Sequence, residues 1–98
     1  MARLIYAAQA LTDLERLADF LAEADPLAAL DTLGLIEEAV AILKRHPLIG
    51  HEAEQGLREL VISRGSTGYV ALYSYEEAHD AVFILALRHQ REAGYSGE

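Results

Sequence analysis

The residues best equipped for chemistry gather near the C-terminal end, in "LALRHQREAGY", residues 85 to 95. An apolar run gives way within a few positions to Arg88, His89, Arg91 and Glu92, and then to the phenol of Tyr95. An imidazole with an ordinary pKa of about 6.5 can move protons near neutral pH. A phenol near 10 needs a strong downward shift before it can do the same. The competing reading is a buried strand that turns polar as it meets water, where a histidine is more often a surface or hydrogen-bonded residue than a catalyst. Other chemistries are closed off. The absence of cysteine removes disulfides, thiolate metal sites and thiol nucleophiles together. His46, His51, His79 and His89 never pair at the three- or four-residue spacing that sets two ligands on one helix face, so neither a metal nor a cofactor is expected.

Positioning that exit requires a sheet, and the sequence supplies one in pieces. "RLIYA" (3 to 7) reads as a short opening strand. Thr12-Asp13-Leu14-Glu15 fits a capping box, which predicts a helix starting there with Leu14, Leu17, Ala18, Leu21 and Ala24 along one face. Asp25-Pro26 is a second start signal, Asp as cap and Pro at the first helical position. The second helix is predicted to run to about Arg45, burying Leu27, Leu30, Leu33, Ile36, Val40 and Leu43, until His46-Pro47 stops it. Two helices with almost no linker form an antiparallel hairpin. "HPLIGHEAEQG" (46 to 56) reads as a connecting loop.

Beyond the loop the apolar period changes from helical to strand-like. "LRELVIS", "YVALYSY" and "AVFILAL" are three runs separated by "RGSTG" and "EEAHD", gaps short enough for an antiparallel meander. Both alternating faces of the third run are apolar, which marks it as the most buried strand. The expected architecture is therefore α+β, a single domain over residues 1–98. It comprises a short N-terminal strand, an antiparallel helical hairpin and a three-stranded antiparallel meander, with the helices on one sheet face. By alternation Tyr69, Tyr73 and Tyr75 share a side, a stripe that is usually core or a partner surface.

The 98 residues are 52% apolar, enough for one modest core. The apolar run Ala81 to Leu87 is far shorter than the roughly 20 residues of a membrane span, and the first residues lack a signal peptide's apolar centre, so a cytoplasmic location is expected. Net charge is −8 and unevenly spread. Within residues 13 to 38, Asp13, Glu15, Asp19, Glu23, Asp25, Asp31, Glu37 and Glu38 stand against one base, Arg16, whereas Arg58, Arg64, Arg88 and Arg91 fall in the later part. Such a field repels phosphate backbones and argues against broad nucleic-acid binding, while leaving room for a small basic cleft. The acidic run reads as a solvated helix face, and Glu76 and Glu77 as a solvated turn.

The order of elements, taken with "HPLIGHEAEQGLREL", "GYVALYSY" and "ILALRHQREAGY", resembles the RelE/ParE superfamily of toxins from type II toxin–antitoxin modules, often called plasmid stabilisation proteins. The resemblance covers nearly the whole chain and implies a small antitoxin as partner, in a toxin–antitoxin hetero-oligomer. The superfamily divides into ribosome-dependent mRNA endonucleases and ParE proteins that poison DNA gyrase. For the nuclease, cutting RNA through its own 2′-hydroxyl needs a base, an acid and cations at the phosphate. By resemblance these roles fall to Arg64, His89 and Tyr95.

Against the nuclease, Leu60 and Ile62 stand where that branch commonly carries lysines, and the chain's only lysine is Lys44. The ParE-like reading needs no catalytic set, only a surface that captures a protein. It is the reading favoured here, with Arg58, Arg64, Tyr73, Arg88, His89 and Arg91 as target or antitoxin contacts. A third reading is an inactive toxin-like domain that only binds antitoxin. Arg58 and Arg64 have a structural alternative, since side chains sharing a face with Leu60 and Ile62 can lay their stems over apolar surface.

Overall fold

A computed structural model describes residues 1–64 and 67–90, the side chains of 63, 64 and 67 excepted. Strand β1 (Arg3–Tyr6) leads into helices α1 (Ala8–Ala24) and α2 (Pro26–Ala41), and α2 ends in a single 3-10 turn over Ile42–Lys44. Four strands follow: β2 (His51–Glu52), β3 (Arg58–Arg64), β4 (Thr67–Glu76) and β5 (Ala81–His89). The sheet order is β1-β5-β4-β3-β2, with β1 parallel to β5 and the remaining pairs antiparallel. The expected α+β architecture is present. The loop predicted over 46 to 56 contains the two-residue β2, which pairs His51 with Glu59 and Glu52 with Arg58.

Helix α2 starts as its sequence dictates. Pro26 occupies the first turn, and the Asp25 carboxylate accepts the backbone N–H groups of Leu27 (3.0 Å) and Ala28 (3.3 Å). Its buried stripe departs from the expected one. Ala29, Thr32, Ile36, Val40 and Leu43 are buried, while Leu27 and Leu30 are 72% and 67% exposed. Only Asp25 separates the two helices, so their adjoining ends lie close and small side chains take the inward positions there.

Helix α1 does not begin at Thr12. It starts at Ala8, four residues earlier, and Ala7 at its N-cap makes no side-chain cap. The Ala7 N–H instead bonds the Ile84 carbonyl at 2.9 Å, so strand pairing with β5 and helix entry meet at one residue. Asp13 therefore lies inside the helix and is wholly buried.

Between hairpin and sheet sits one core, in which Leu17, Ile36, Val40 and Leu43 from the helices meet Ile62, Tyr69, Ala71, Tyr73, Val82, Ile84 and Leu87 from the strands. Strand β5 has β1 on one side and β4 on the other, and alternates buried with half-buried residues over most of its length, as its two apolar faces predict. One extra residue enters β5 opposite the Leu72/Tyr73 step, so that Leu72 faces Ala86 while Tyr73 faces Ile84.

Candidate functional site

Cross-strand register brings part of the predicted set together. Ile62 on β3 lies opposite Tyr69 on β4, and Tyr69 lies opposite His89 on β5. Ile62 and Tyr69 are each 3% exposed, whereas His89 is half-buried. The His89 and Tyr69 rings stand nearly perpendicular, centroids 5.3 Å apart and planes at 86°, the arrangement in which a positive ring edge meets a negative ring face. Arg64 occupies the next same-face register position beyond Ile62, opposite Thr67, at the same end of the sheet. Its side chain, Arg91 and Tyr95 lie outside the described residues.

Two further contacts fix the backbone that carries His89. The Gln90 N–H bonds the Gly68 carbonyl at 2.9 Å, and the Gln90 side chain lies across Gly68 in space that any Cβ would fill. A Cβ at Gly68 would displace this flexible side chain without meeting backbone. Arg88, opposite Val70, turns back on its own strand end and donates from Nη1 to the carbonyls of His89 and Gln90, both at 3.2 Å.

Arg58 and Tyr73 belong elsewhere. They face each other at the opposite end of β3 and β4, six residues and about 20 Å from Arg64 along an extended strand. Arg58 does not lay its stem over apolar surface with its charge in water. Its Nη1 donates to the carbonyls of Leu48 (3.1 Å) and Gly50 (2.7 Å), and its Nη2 lies 3.6 Å from Glu52. Tyr73 is wholly buried, and its hydroxyl accepts the Gly50 N–H at 2.9 Å. Burial raises its phenol pKa above the ordinary value, more than Gly50 and Arg58 lower it. A surface contact through Tyr73 is unavailable in this structure, and the face shared by Tyr69 and Tyr73 is core. Tyr75, half-buried at the rim, donates its hydroxyl to Asp80 at 2.8 Å. Glu76 and Glu77 lie exposed at the β4–β5 turn, Glu76 paired with His79.

Three residues whose roles sequence reasoning missed shape the two ends of the sheet: Gly50 at the Tyr73 end, and Gly68 and Asp13 at the His89 end. The buried Asp13 accepts the Leu87 backbone N–H on Oδ2 (2.8 Å) and the Gln9 amide on Oδ1 (2.9 Å). A signal existed, because Asp13 falls three residues after Ala10 and four before Leu17, on the apolar stripe of its helix. No group of acids and histidines among the described residues could hold a metal ion. No described helix is long and apolar enough to cross a membrane.

Residues 4–94 match the model of the ParE toxin of type II toxin–antitoxin systems, parDE. The chain belongs to this ParE toxin family. Within the wider RelE/ParE superfamily it is 36% identical over 84 residues to the toxin RelE3 of Caulobacter vibrioides, covering 86% of this chain and 89% of the relative. The fold of this ParE-family chain recurs in a chain of the chromosomal ParDE system from P. aeruginosa, with a TM-score of 0.76 at 24% identity, over 91% and 96% of the two chains. It recurs again in the toxin–antitoxin complex RelBE2 from Mycobacterium tuberculosis, with a TM-score of 0.61 at 25% identity, over 91% and 98%. The ParE-family chain is thus a toxin of the type II toxin–antitoxin class by family.

Proposed function

We propose that this toxin acts in the ParE manner, inhibiting DNA gyrase through protein contacts made by the sheet end that carries Arg64, Arg88 and His89, and that a cognate antitoxin neutralises it. The observation that carries this reading is Ile62. At a position where the nuclease branch commonly places a lysine, the chain has an isoleucine that is 3% exposed and packed in the core. Leu60, at the other such position, packs against the same core. Cations at the scissile phosphate, which RNA cleavage needs, have no counterpart at these two places. The acidic hairpin adds to the argument, since a net charge of −8 works against approach to ribosomal RNA.

An antitoxin partner is supported by the apolar surface the chain displays, with Phe20, Leu27 and Leu30 each about 70% exposed. One arrangement favours the second reading, a ribosome-dependent mRNA endonuclease: Arg64 and His89 reach the same end of the sheet. Induced expression without antitoxin separates the readings through labelled thymidine and labelled amino acid uptake over the first minutes. An early fall in DNA synthesis with continuing protein synthesis supports gyrase as target. An early fall in protein synthesis overturns it in favour of the nuclease, and no effect on either favours a domain that only binds antitoxin.

A further inference from the structure

The parallel ladder between β1 and β5 ends at Tyr6 opposite Ile84, where Ala7 N–H takes the Ile84 carbonyl and the chain turns into α1. Past that point β5 continues for five residues, through the extra residue near Leu85, to Arg88 and His89. On the side β1 has left, a buried strand would hold backbone donors with no strand to receive them, at a cost of about 1–3 kcal/mol for each one left unsatisfied. The Leu87 N–H is received instead by the carboxylate of Asp13, 74 residues away in sequence and wholly buried. The Asp13 side chain is itself held, by the Gln9 amide at 2.9 Å and by Arg16 Nη2 at 3.9 Å, both one turn away on α1. A charged acceptor makes the stronger class of hydrogen bond, and burial strengthens it further.

From this geometry we infer that Asp13 is a positioning residue, a side chain standing in for the missing strand, which fixes the last residues of β5 and so sets where Arg88 and His89 point. The inference rests on the proposed role of that sheet end, and one part of its test does not. Leu87 is two residues from His89 and one from Arg88, so losing its anchor loosens the strand end on the side away from β4, where the pairing with β4 and the Gln90 bond to Gly68 do not reach, without touching the stretch that β1 holds. The Asp13 carboxylate itself contacts no target.

The test compares the intact chain with Asp13→Leu and Asp13→Asn by amide hydrogen exchange and by inhibition of purified gyrase. In Asp13→Leu, exchange at Leu87, Arg88 and His89 rises by about tenfold or more, the equivalent of one lost hydrogen bond to a charged group, while Val82 and Ile84 keep their original rates. The concentration needed for half inhibition of gyrase rises by about tenfold as well. Asp13→Asn, whose Oδ1 still accepts the Leu87 N–H, brings both to within about threefold of the unsubstituted chain. Unchanged exchange at Leu87, or an equal rise along the whole of β5, overturns the inference, as does a local rise with undiminished inhibition. If the unsubstituted chain leaves gyrase unaffected, the target reading falls. The exchange rates then decide by themselves whether Asp13 positions Arg88 and His89.

Discussion

At one end of β4, Tyr73 is buried in the core with its hydroxyl bound to the N–H of Gly50; at the other, the nearly as buried Tyr69 meets the ring of His89 at right angles. Each end has a glycine pressed against a larger neighbour, Gly50 against Tyr73 and Gly68 against Gln90. Each end also has an arginine donating to two carbonyls, Arg58 to Leu48 and Gly50, and Arg88 to His89 and Gln90. The difference lies in what is locked. Arg58 ties down the preceding loop, eight to ten residues earlier, next to β2. Arg88 donates to carbonyls of its own strand end, and His89 beside it lies half-buried at the rim of the sheet. Similar residue types thus build a clamp on a loop at one end and, at the other, the half-buried rim to which the proposed function assigns the target contact.

Substitutions should separate the two ends by moving stability at the first and activity at the second. The largest loss of stability is expected for Gly50→Val. A Cβ there meets the Glu59 carbonyl at 2.6 Å and the Tyr73 ring at 2.7 Å, and the backbone member of that pair cannot swing aside. A cost of about 3 kcal/mol is expected, read as a lowered urea midpoint with an unchanged slope. Inhibition of the target should survive below the melting range. Selective loss of inhibition in this variant would break the contrast between the ends.

Tyr73→Phe comes next, at about 1.5 kcal/mol, because it leaves the Gly50 N–H without its acceptor. The same residue gives a pH signature. Burial raises the phenol pKa of Tyr73, burial and then Glu37 raise that of Tyr6, and the hydrogen bond to Asp80 leads in raising that of Tyr75. Folded values above the unfolded 10.0 mean that this stability is fully present below about pH 10 and is lost as pH climbs through the folded values. Urea midpoints should hold steady to about pH 9 and then fall, and Tyr73→Phe should make the fall shallower. Arg58→Lys follows at about 1 kcal/mol, since a single ammonium cannot bridge two carbonyls and Glu52 as the planar guanidinium does. Antitoxin affinity in that variant should stay within about twofold.

Much of this arrangement was legible in the chain. The Asp25-Pro26 start of α2 and the three strands of the meander follow from local chemistry, and the double apolar face of β5 announced its place between two neighbours. What escaped was decided by contacts between distant segments. Thr12 to Glu15 has the residues of a capping box, but the entry to α1 is governed by Ala7 bonding Ile84, and the buried end of β5 draws Asp13 inward. Leu27 and Leu30 fit a helical stripe by spacing, yet close approach of the two helices favours Ala29 and Thr32 as the inward residues. Tyr73 and Arg58 look like surface chemistry until register shows that both serve the loop at Gly50. Grouping Arg58 with Arg64 and His89 followed from composition, and strand length separates them.

The smallest stability effect and the sharpest functional one are expected together in His89→Ala. The substitution removes an edge-to-face ring contact at 5.3 Å that is half open to water, worth about 0.5–1 kcal/mol. The β5 backbone beneath it is held independently, by the Gln90 N–H on Gly68 and by Asp13 on Leu87, so the strand end should keep its course. If that end meets gyrase, half inhibition should need about tenfold more toxin, as for loss of one good interface contact. A His89→Phe variant keeps the ring contact with Tyr69 and removes the imidazole nitrogens. Restored stability with inhibition still lost would assign the role to those nitrogens. If both variants instead match the original chain in inhibition, then the His89 end is not the working surface, and the contrast between the two ends is one of packing alone.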